Sequence, residues 1–302
     1  MSGTAPFALD TPRVRRAFDR AGVSYDAAAV VQADVRDTLI QRLDFAALAP
    51  RVVLDAGAGT GLGARALKRR YPAARVIALD SSFGMLRVAA RRRGWRRRFD
   101  CVCADASALP LPDGCVELIL SNLMLPWCDP DAALGEFRRV LAPRGLLAFT
   151  SLGPDTLREL RSAWASVDDG GHVHAFVDMH DLGDALVRNG FAAPVLDVER
   201  YTVTYADGDG LMADLKATGA HNAAARRARG LTGRRKFAAM RSAYEQFRQD
   251  GRLPATVEIV FGHAWGPLWD ASGAGVDGVD GGGGAAVSLD EFKRQLGIKR
   301  RP

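Results

Sequence analysis

Three carboxylates close three successive apolar runs: Asp55 in VVLDAGAGT, Asp80 at the end of RVIALD, and Asp105 at the end of DCVCAD. Asp55 leads straight into Gly57, Gly59 and Gly61. Glycines let a turn take positive φ and let the backbone approach a ligand at the carboxyl end of a strand, so a nucleotide-type ligand is expected here. Gly59, Gly61 and Ala64 also fit G-x-G-x-x-A, with Asp80 about 20 residues downstream, as a dinucleotide site would have them. The glycine spacing leaves both readings open. Asp55 favours a ligand bearing a cationic amino group, because a carboxylate at a strand tip is poorly placed for a pyrophosphate. Either of the first two aspartates could instead be a helix N-cap, and Asp105 an exposed loop residue. Three acids on three consecutive strands are harder to explain in that way.

Asp80 could accept hydrogen bonds from both hydroxyls of a ribose, each charge-assisted bond being worth about 1.5–3 kcal/mol. Asp105 could accept from an adenine amine while Met85 or Leu86 packs on the ring. No Ser-His-Asp, Cys-His or paired-carboxylate arrangement is visible. His172, His174 and His180 lack the carboxylate or cysteine spacing that completes a metal site, so no metal is expected. His221 and His263 read as hydrogen-bonded structural residues. Cys101, Cys103, Cys115 and Cys128 include no C-x-x-C pair and read as reduced, mostly buried thiols.

The acids need strands and helices to hold them. The runs VVLDAG, RVIALD, DCVCAD, VELILS and GLLAFTS lack strict alternation, which suits strands buried on both faces. Helices are expected over 61–70, 83–93, 130–140 (Asp129 as N-cap, Pro130 at the first position), 155–167, 178–189 and 234–249. VLDVERYTVTY and ATVEIVFGHAW read as two further strands. The pattern is α/β: a Rossmann-like, doubly wound sheet with right-handed crossovers. Expected segments are an N-terminal helical lid over 1–50, the core over 51–205, a helical cap over 206–253 between the last two strands, the final strand over 254–270, and a glycine-rich linker and tail over 271–302.

With 302 residues, 48% of them hydrophobic, the chain can bury one large core. No apolar window approaches a membrane span and no hydrophobic signal core opens the chain, so a cytoplasmic location without membrane contact is expected. The net charge of +6 is concentrated in Arg91, Arg92, Arg93, Arg96, Arg97 and Arg98, then Arg226, Arg227 and Arg229, then Arg234, Arg235 and Lys236. Each run alone is explained by a solvated helix face; together they could steer an acidic partner. No nucleic-acid-binding motif accompanies them.

The stretch from Val53 to Asp80, with Asp105 and the SNL of Ser121 to Leu123, resembles class I S-adenosylmethionine-dependent methyltransferases, which implies a seven-stranded sheet whose terminal reversed strand is ATVEIVFGHAW. FDRAGVSYDAAAVVQ, SNLMLPWC, DTLRELRSAW, FVDMHDLGDAL, DLKATGAHN and AYEQFRQDGRLPAT look like the malonyl-acyl-carrier-protein O-methyltransferase family of biotin synthesis, over about 18–265. Pro126, ahead of Trp127, and the tail after Pro267 depart from that pattern.

The resemblance implies S-adenosylmethionine as cofactor, held by Gln32, Asp55, Ala56, Gly57, Ala58, Gly59, Gly61, Asp80, Ser81, Met85, Asp105, Ala106, Asn122 and Leu123. Tyr25 on the lid, Asn122 and Trp127 would face the reacting groups; packing, or a strand-end cap for Asn122, is the structural alternative. A cation is expected for the malonyl carboxylate, from Arg158 or Arg161, with Lys216 behind them. An ionised carboxylate attacks the methyl group without a base, so alignment and exclusion of water should dominate. The implied partner is an acidic acyl carrier protein carrying the malonyl thioester, with no nucleic acid and a monomer favoured. Rival readings are the related complex I assembly factor linked to arginine hydroxylation, a non-catalytic cofactor-binding module, and a nucleic-acid methyltransferase. The last would call for N-P-P-Y or D-P-P-Y where this chain reads SNLML.

Overall fold

The structure is a computed structural model that describes residues 9–95, 98–220, 222–224 and 232–266. Arg96, Arg97, His221, Arg226, Arg227, Arg229 and the glycine-rich tail lie outside the described residues. Along the chain come α1 (Thr11–Ala21), α2 (Tyr25–Ala28), α3 (Val30–Arg42), β1 (Val52–Ala56), α4 (Leu62–Arg70), β2 (Arg75–Asp80), α5 (Phe83–Arg92) and β3 (Asp100–Cys103). Then follow β4 (Val116–Ser121), α6 (Pro130–Val140), β5 (Leu141–Leu152), α7 (Arg158–Ala165), α8 (Met179–Arg188), β6 (Ala192–Tyr205), α9 (Gly208–Ala217), α10 (Arg234–Tyr244) and β7 (Leu253–Trp265).

The seven strands form one sheet in the order β3-β2-β1-β4-β5-β7-β6. β1 to β5 pair in parallel, whereas β7 runs antiparallel to both β5 and β6. The expected reversed strand is therefore in place, inserted next to the sheet edge. The order also reverses at β1 and β4, and ligands of open α/β sheets bind beyond the carboxyl ends at such a switch point.

Val53, Leu54, Leu118 and Ile119 are each 0% exposed because helices cover both faces. α6 and α8 close one face over Phe137, Leu147 and Phe149; α3, α4 and α5 close the other over Leu39, Leu67 and Leu118. α6 starts where Asp129 accepts from the N–H groups of Asp131 and Ala132, with Pro130 in its first turn. β6, at the edge, alternates exposed and half-buried residues.

Some boundaries differ from expectation. β5 begins at Leu141 rather than near Gly145, and α7 spans only Arg158–Ala165. The latter is shortened because Leu157 takes a left-handed φ of 56° and donates its N–H to the carbonyl of Thr256, pinning the chain to β7 before the helix starts. The helix expected to run to Gln249 ends at Tyr244 and gives way to a short 3-10 turn, Glu245–Phe247. Two helices, α9 and α10, lie in the segment between β6 and β7. The cysteines are free but not mostly buried: Cys103 is exposed and the other three are half-buried.

β7 fits between β5 and β6 by giving up a side chain at Gly262, where a Cβ would lie 2.4 Å from the Phe149 ring. Gly262→Ala is expected to cost about 1–3 kcal/mol by overpacking, read as a lower urea midpoint at unchanged m-value.

Candidate active site

Where β1 turns into α4, Gly57 and Ala58 both donate their N–H groups to the carbonyl of Leu79, and Gly59 donates to Asp80 Oδ2 at 2.8 Å. Asp80 Oδ1 accepts from the Ser82 N–H, also at 2.8 Å. The acid that ends β2 thus fixes the glycine turn and the start of α5. Gly57, at φ 76°, lies so near Met124 that a Cβ would come within 2.4 Å of its Cγ; nothing stands within 4 Å of the equivalent position at Gly59. The turn is closed on the β4 side and open on its outer side.

That outer side borders a cavity of about 980 Å³. Its lining brings together Tyr25, Gln32, Gly57, Gly59, Asp80, Ser81, Met85, Asp105, Ala106, Asn122, Leu123 and Trp127. Ala56, Ala58 and Gly61 shape the turn from behind without lining the cavity, and of the two candidate ring-packing residues Met85 lines it while Leu86 lies in the core. Asp105 accepts from the Ser107 N–H through Oδ1. The sequence reading did not single out Arg15 and Phe18 of α1, nor Thr156, Trp164 and Tyr205, which also line this space. Their contribution depends on how α1 and α7 are laid over the sheet, which no local spacing announces.

Asp55 is placed differently from the expectation. It is 3% exposed, does not line the cavity, and accepts from the Ala64 N–H at the start of α4. Its Oδ2 is buried without a hydrogen-bond partner among the described residues. Burial, with the Asp80 charge adding, pushes its carboxyl up to about 7, and burial also raises Asp80. Two acids with raised pKa, one acting on the other through its charge, therefore meet at the turn, a local potential that favours a cation. The Tyr25 phenol is shifted upward by burial and by Asp80 and Asp26, so it remains a hydrogen-bond donor.

Asn122 is engaged at both ends: Nδ2 donates to the Gln32 carbonyl at 3.1 Å and Oδ1 accepts from Thr150 Oγ1 at 2.9 Å. It ties the end of β4 to α3, and Leu123 beside it takes φ 53°. Trp127 meets Phe18 edge-on, with ring centroids 5.2 Å apart. Arg158 and Arg161 do not line the cavity. Arg158 faces Glu159 and Asp155, and the Arg161 guanidinium is held by the carbonyls of Pro154 and Thr156, so both are occupied at the start of α7. Among the described residues, the Lys and Arg side chains that do line the cavity are Lys216 and Arg15, both exposed.

Two acids help to fasten the N-terminal helices α1 and α2 to the core beside this site. Asp19 of α1 accepts from Ser82 Oγ at 2.7 Å and the Gly84 N–H at 2.8 Å. Asp26 of α2 accepts from Thr60 Oγ1 at 2.7 Å and pairs with Arg92. Among the described residues no cluster of His, Cys, Asp and Glu could hold a metal ion, and no helix is long and apolar enough to cross a membrane.

The strand order, the glycine turn and the strand-end acids define a class I methyltransferase architecture. Residues 54–149 match a methyltransferase domain model. Solved structures share the fold at low identity: the YcgJ protein of Bacillus subtilis (TM-score 0.54, 16% identity, 76% of this chain and 98% of that one) and phosphoethanolamine N-methyltransferase 2 of Haemonchus contortus, bound to S-adenosylhomocysteine (0.53, 17%, 84% and 60%). Curated relatives are far nearer. The malonyl-(acyl-carrier protein) O-methyltransferase of Laribacter hongkongensis is 52% identical over 87% of this chain and 92% of its own length, and that of Methylovorus sp. 52% over 86% and 90%. The chain belongs to the malonyl-(acyl-carrier protein) O-methyltransferase family.

The upward shift of Asp55 has a measurable sign. Between about pH 4 and pH 7 the folded chain keeps a proton that the unfolded chain has lost, so this group lowers stability progressively across that window. Asp55→Asn removes the effect. In ligand-free protein the variant should match wild type near pH 4 and gain on it up to pH 8, by at most about 4 kcal/mol, as read by denaturant melts at each pH. A pH-independent difference would contradict the assignment.

Proposed function

We propose that the chain transfers the methyl group of S-adenosylmethionine to the free carboxylate of a malonyl thioester on acyl carrier protein, giving the methyl ester that primes pimeloyl synthesis for biotin. Family membership supports the acceptor. The observation that carries the cofactor reading is the pair of acids at the glycine turn, buried Asp55 and half-buried Asp80, both with raised pKa and open to compensation by a cation. A pyrophosphate at the same turn would meet like charge.

The cofactor supplies an electrophilic methyl group on a positively charged sulfur. Asp80, already aligned by two backbone N–H groups, would accept from the ribose; Asp105, Ala106 and Met85 would receive the adenine; Gln32, Ser81 and Leu123 complete that part of the wall. Asp55, set behind the turn, would act on the cofactor's ammonium through its charge and through the position it gives α4, rather than by direct contact. Tyr25 stays protonated and can donate at the reacting centre, with Trp127 shaping the acceptor side. The acceptor carboxylate is ionised near neutral pH, so no residue need remove a proton. Orientation and exclusion of water do the rest, a contribution that can reach about 7–11 kcal/mol. The helices of the N-terminal segment would serve as the lid, with the Asp19 and Asp26 contacts holding α1 and α2 against the core, and α9 and α10 would serve as the cap.

The transfer cancels opposite charges, so a cation clamped on the acceptor carboxylate would stabilise the reactants more than the transition state. The positions of Arg158, paired with the Glu159 and Asp155 carboxylates, and of Arg161, turned onto backbone carbonyls, accord with that. Arg15 and Lys216, at the exposed edge of the cavity, suit the approach of an acidic carrier protein instead.

Three results would support this reading. Wild-type protein with S-adenosylmethionine adds one methyl group, read as a net mass gain of CH2, to malonyl carrier protein and none to acetyl carrier protein. Asp80→Asn raises the Kd for S-adenosylmethionine at least about tenfold, following the worth of one charge-assisted bond. The double reversal Arg15→Glu and Lys216→Glu raises KM for the carrier several-fold at low salt, an increase that shrinks in added salt while kcat stays within about twofold. Binding of NADH in place of the sulfonium nucleoside, or a mass gain on the acetyl carrier, would count against it.

A further inference from the structure

His174 is 7% exposed and sits between two aromatic rings, edge-on to Trp127 at 5.1 Å and tilted against Phe176 at 4.6 Å. It borders the large cavity, yet its Nε2 is buried with no hydrogen-bond partner among the described residues. Buried polar side-chain atoms in native proteins are nearly always paired, so an orphan in a cavity wall calls for a partner that arrives with the ligand. The segment carrying it is firmly held: two residues earlier, His172 stacks on Trp164 at 3.7 Å and shares a 2.7 Å hydrogen bond with Asp168, which also accepts from Lys236. The segment that carries His174 is therefore held in place beside Trp127.

Resting on the function proposed above, we propose that His174 recognises the acceptor: its imidazole N–H donates to the malonyl carboxylate and distinguishes a malonyl thioester from one that ends in a methyl group. Burial, with the Arg161 charge adding, lowers the imidazole to about 4, so the ring is neutral under working conditions. A neutral donor suits this chemistry. It orients one carboxylate oxygen without pinning the charge that the other must deliver to the methyl group, as a fixed cation would. The torsion about χ2 is broad, and a half-turn of the ring exchanges nitrogen for carbon along its edge, so the ligand can select the flip and tautomer that meet it.

The test uses the full chain saturated with S-adenosylhomocysteine, so that no turnover occurs, and compares Kd for malonyl-pantetheine and acetyl-pantetheine by calorimetry. Wild type should prefer the malonyl compound by about 10–100-fold, the worth of one charge-assisted hydrogen bond. His174→Phe should erase that preference while Kd for S-adenosylhomocysteine stays within about twofold, and His174→Gln, which keeps an N–H donor, should recover most of it. A preference that survives in His174→Phe, or that is lost as fully in His174→Gln as in His174→Phe, overturns the assignment. A wild type that shows no preference overturns the malonyl reading of the site itself, and His174 with it.

Discussion

The hydrogen bond from the Gly59 N–H to Asp80 is the constraint on which the site depends. It joins the turn after β1 to the end of β2, so the carboxyl ends of these two neighbouring strands present one rigid edge. Because the other oxygen of Asp80 takes the Ser82 N–H, the same carboxylate also sets where α5 begins. Ser82 in turn receives α1 through Asp19, and Thr60 in the turn receives α2 through Asp26. Strand ends, glycine turn and N-terminal helices are thus linked through short polar contacts around one half-buried acid.

The electrostatics follow from that geometry. Burying Asp55 near the Asp80 charge is unfavourable, and the fold does not fully offset it: Asp55 Oδ2 has no partner among the described residues and its carboxyl rises to about 7. Strain of this kind at a functional site is compensated when a ligand of the right charge arrives. On the acceptor side the arrangement is the reverse. Aromatic rings and a neutral imidazole surround the space beside Trp127, and among the described residues Arg15 and Lys216 lie at the rim while Arg161 is turned into backbone carbonyls. An anion entering there is oriented and dehydrated without being neutralised, which suits a reaction that ends with both charges gone.

How much of this was legible in the sequence depended on whether the signal was local. Asp129 and Pro130, or Asp178, announce helix starts within a few residues, and the structure has those helices where they were expected. Gly57 to Gly61, Asp80 and Asp105 lie on consecutive strand ends of a parallel sheet, so reading the strands already placed Gly57, Gly59, Asp80 and Asp105 along one edge. What failed needed side-chain direction. Asp55 alternates with its neighbours on β1 and points toward α4, and Arg161 looked available until Pro154 and Thr156 presented their carbonyls to it. Phe18, Arg15 and His174 come to the cavity from segments distant in sequence, and His174 is distinguished only by the partner it lacks.

The account stands on a site that selects a cationic nucleoside over an anionic dinucleotide. Isothermal titration of the purified chain with S-adenosylmethionine and, separately, with NADH measures that selection directly. One equivalent of S-adenosylmethionine should bind with measurable heat and NADH should give none. Heat from NADH alone would contradict the account.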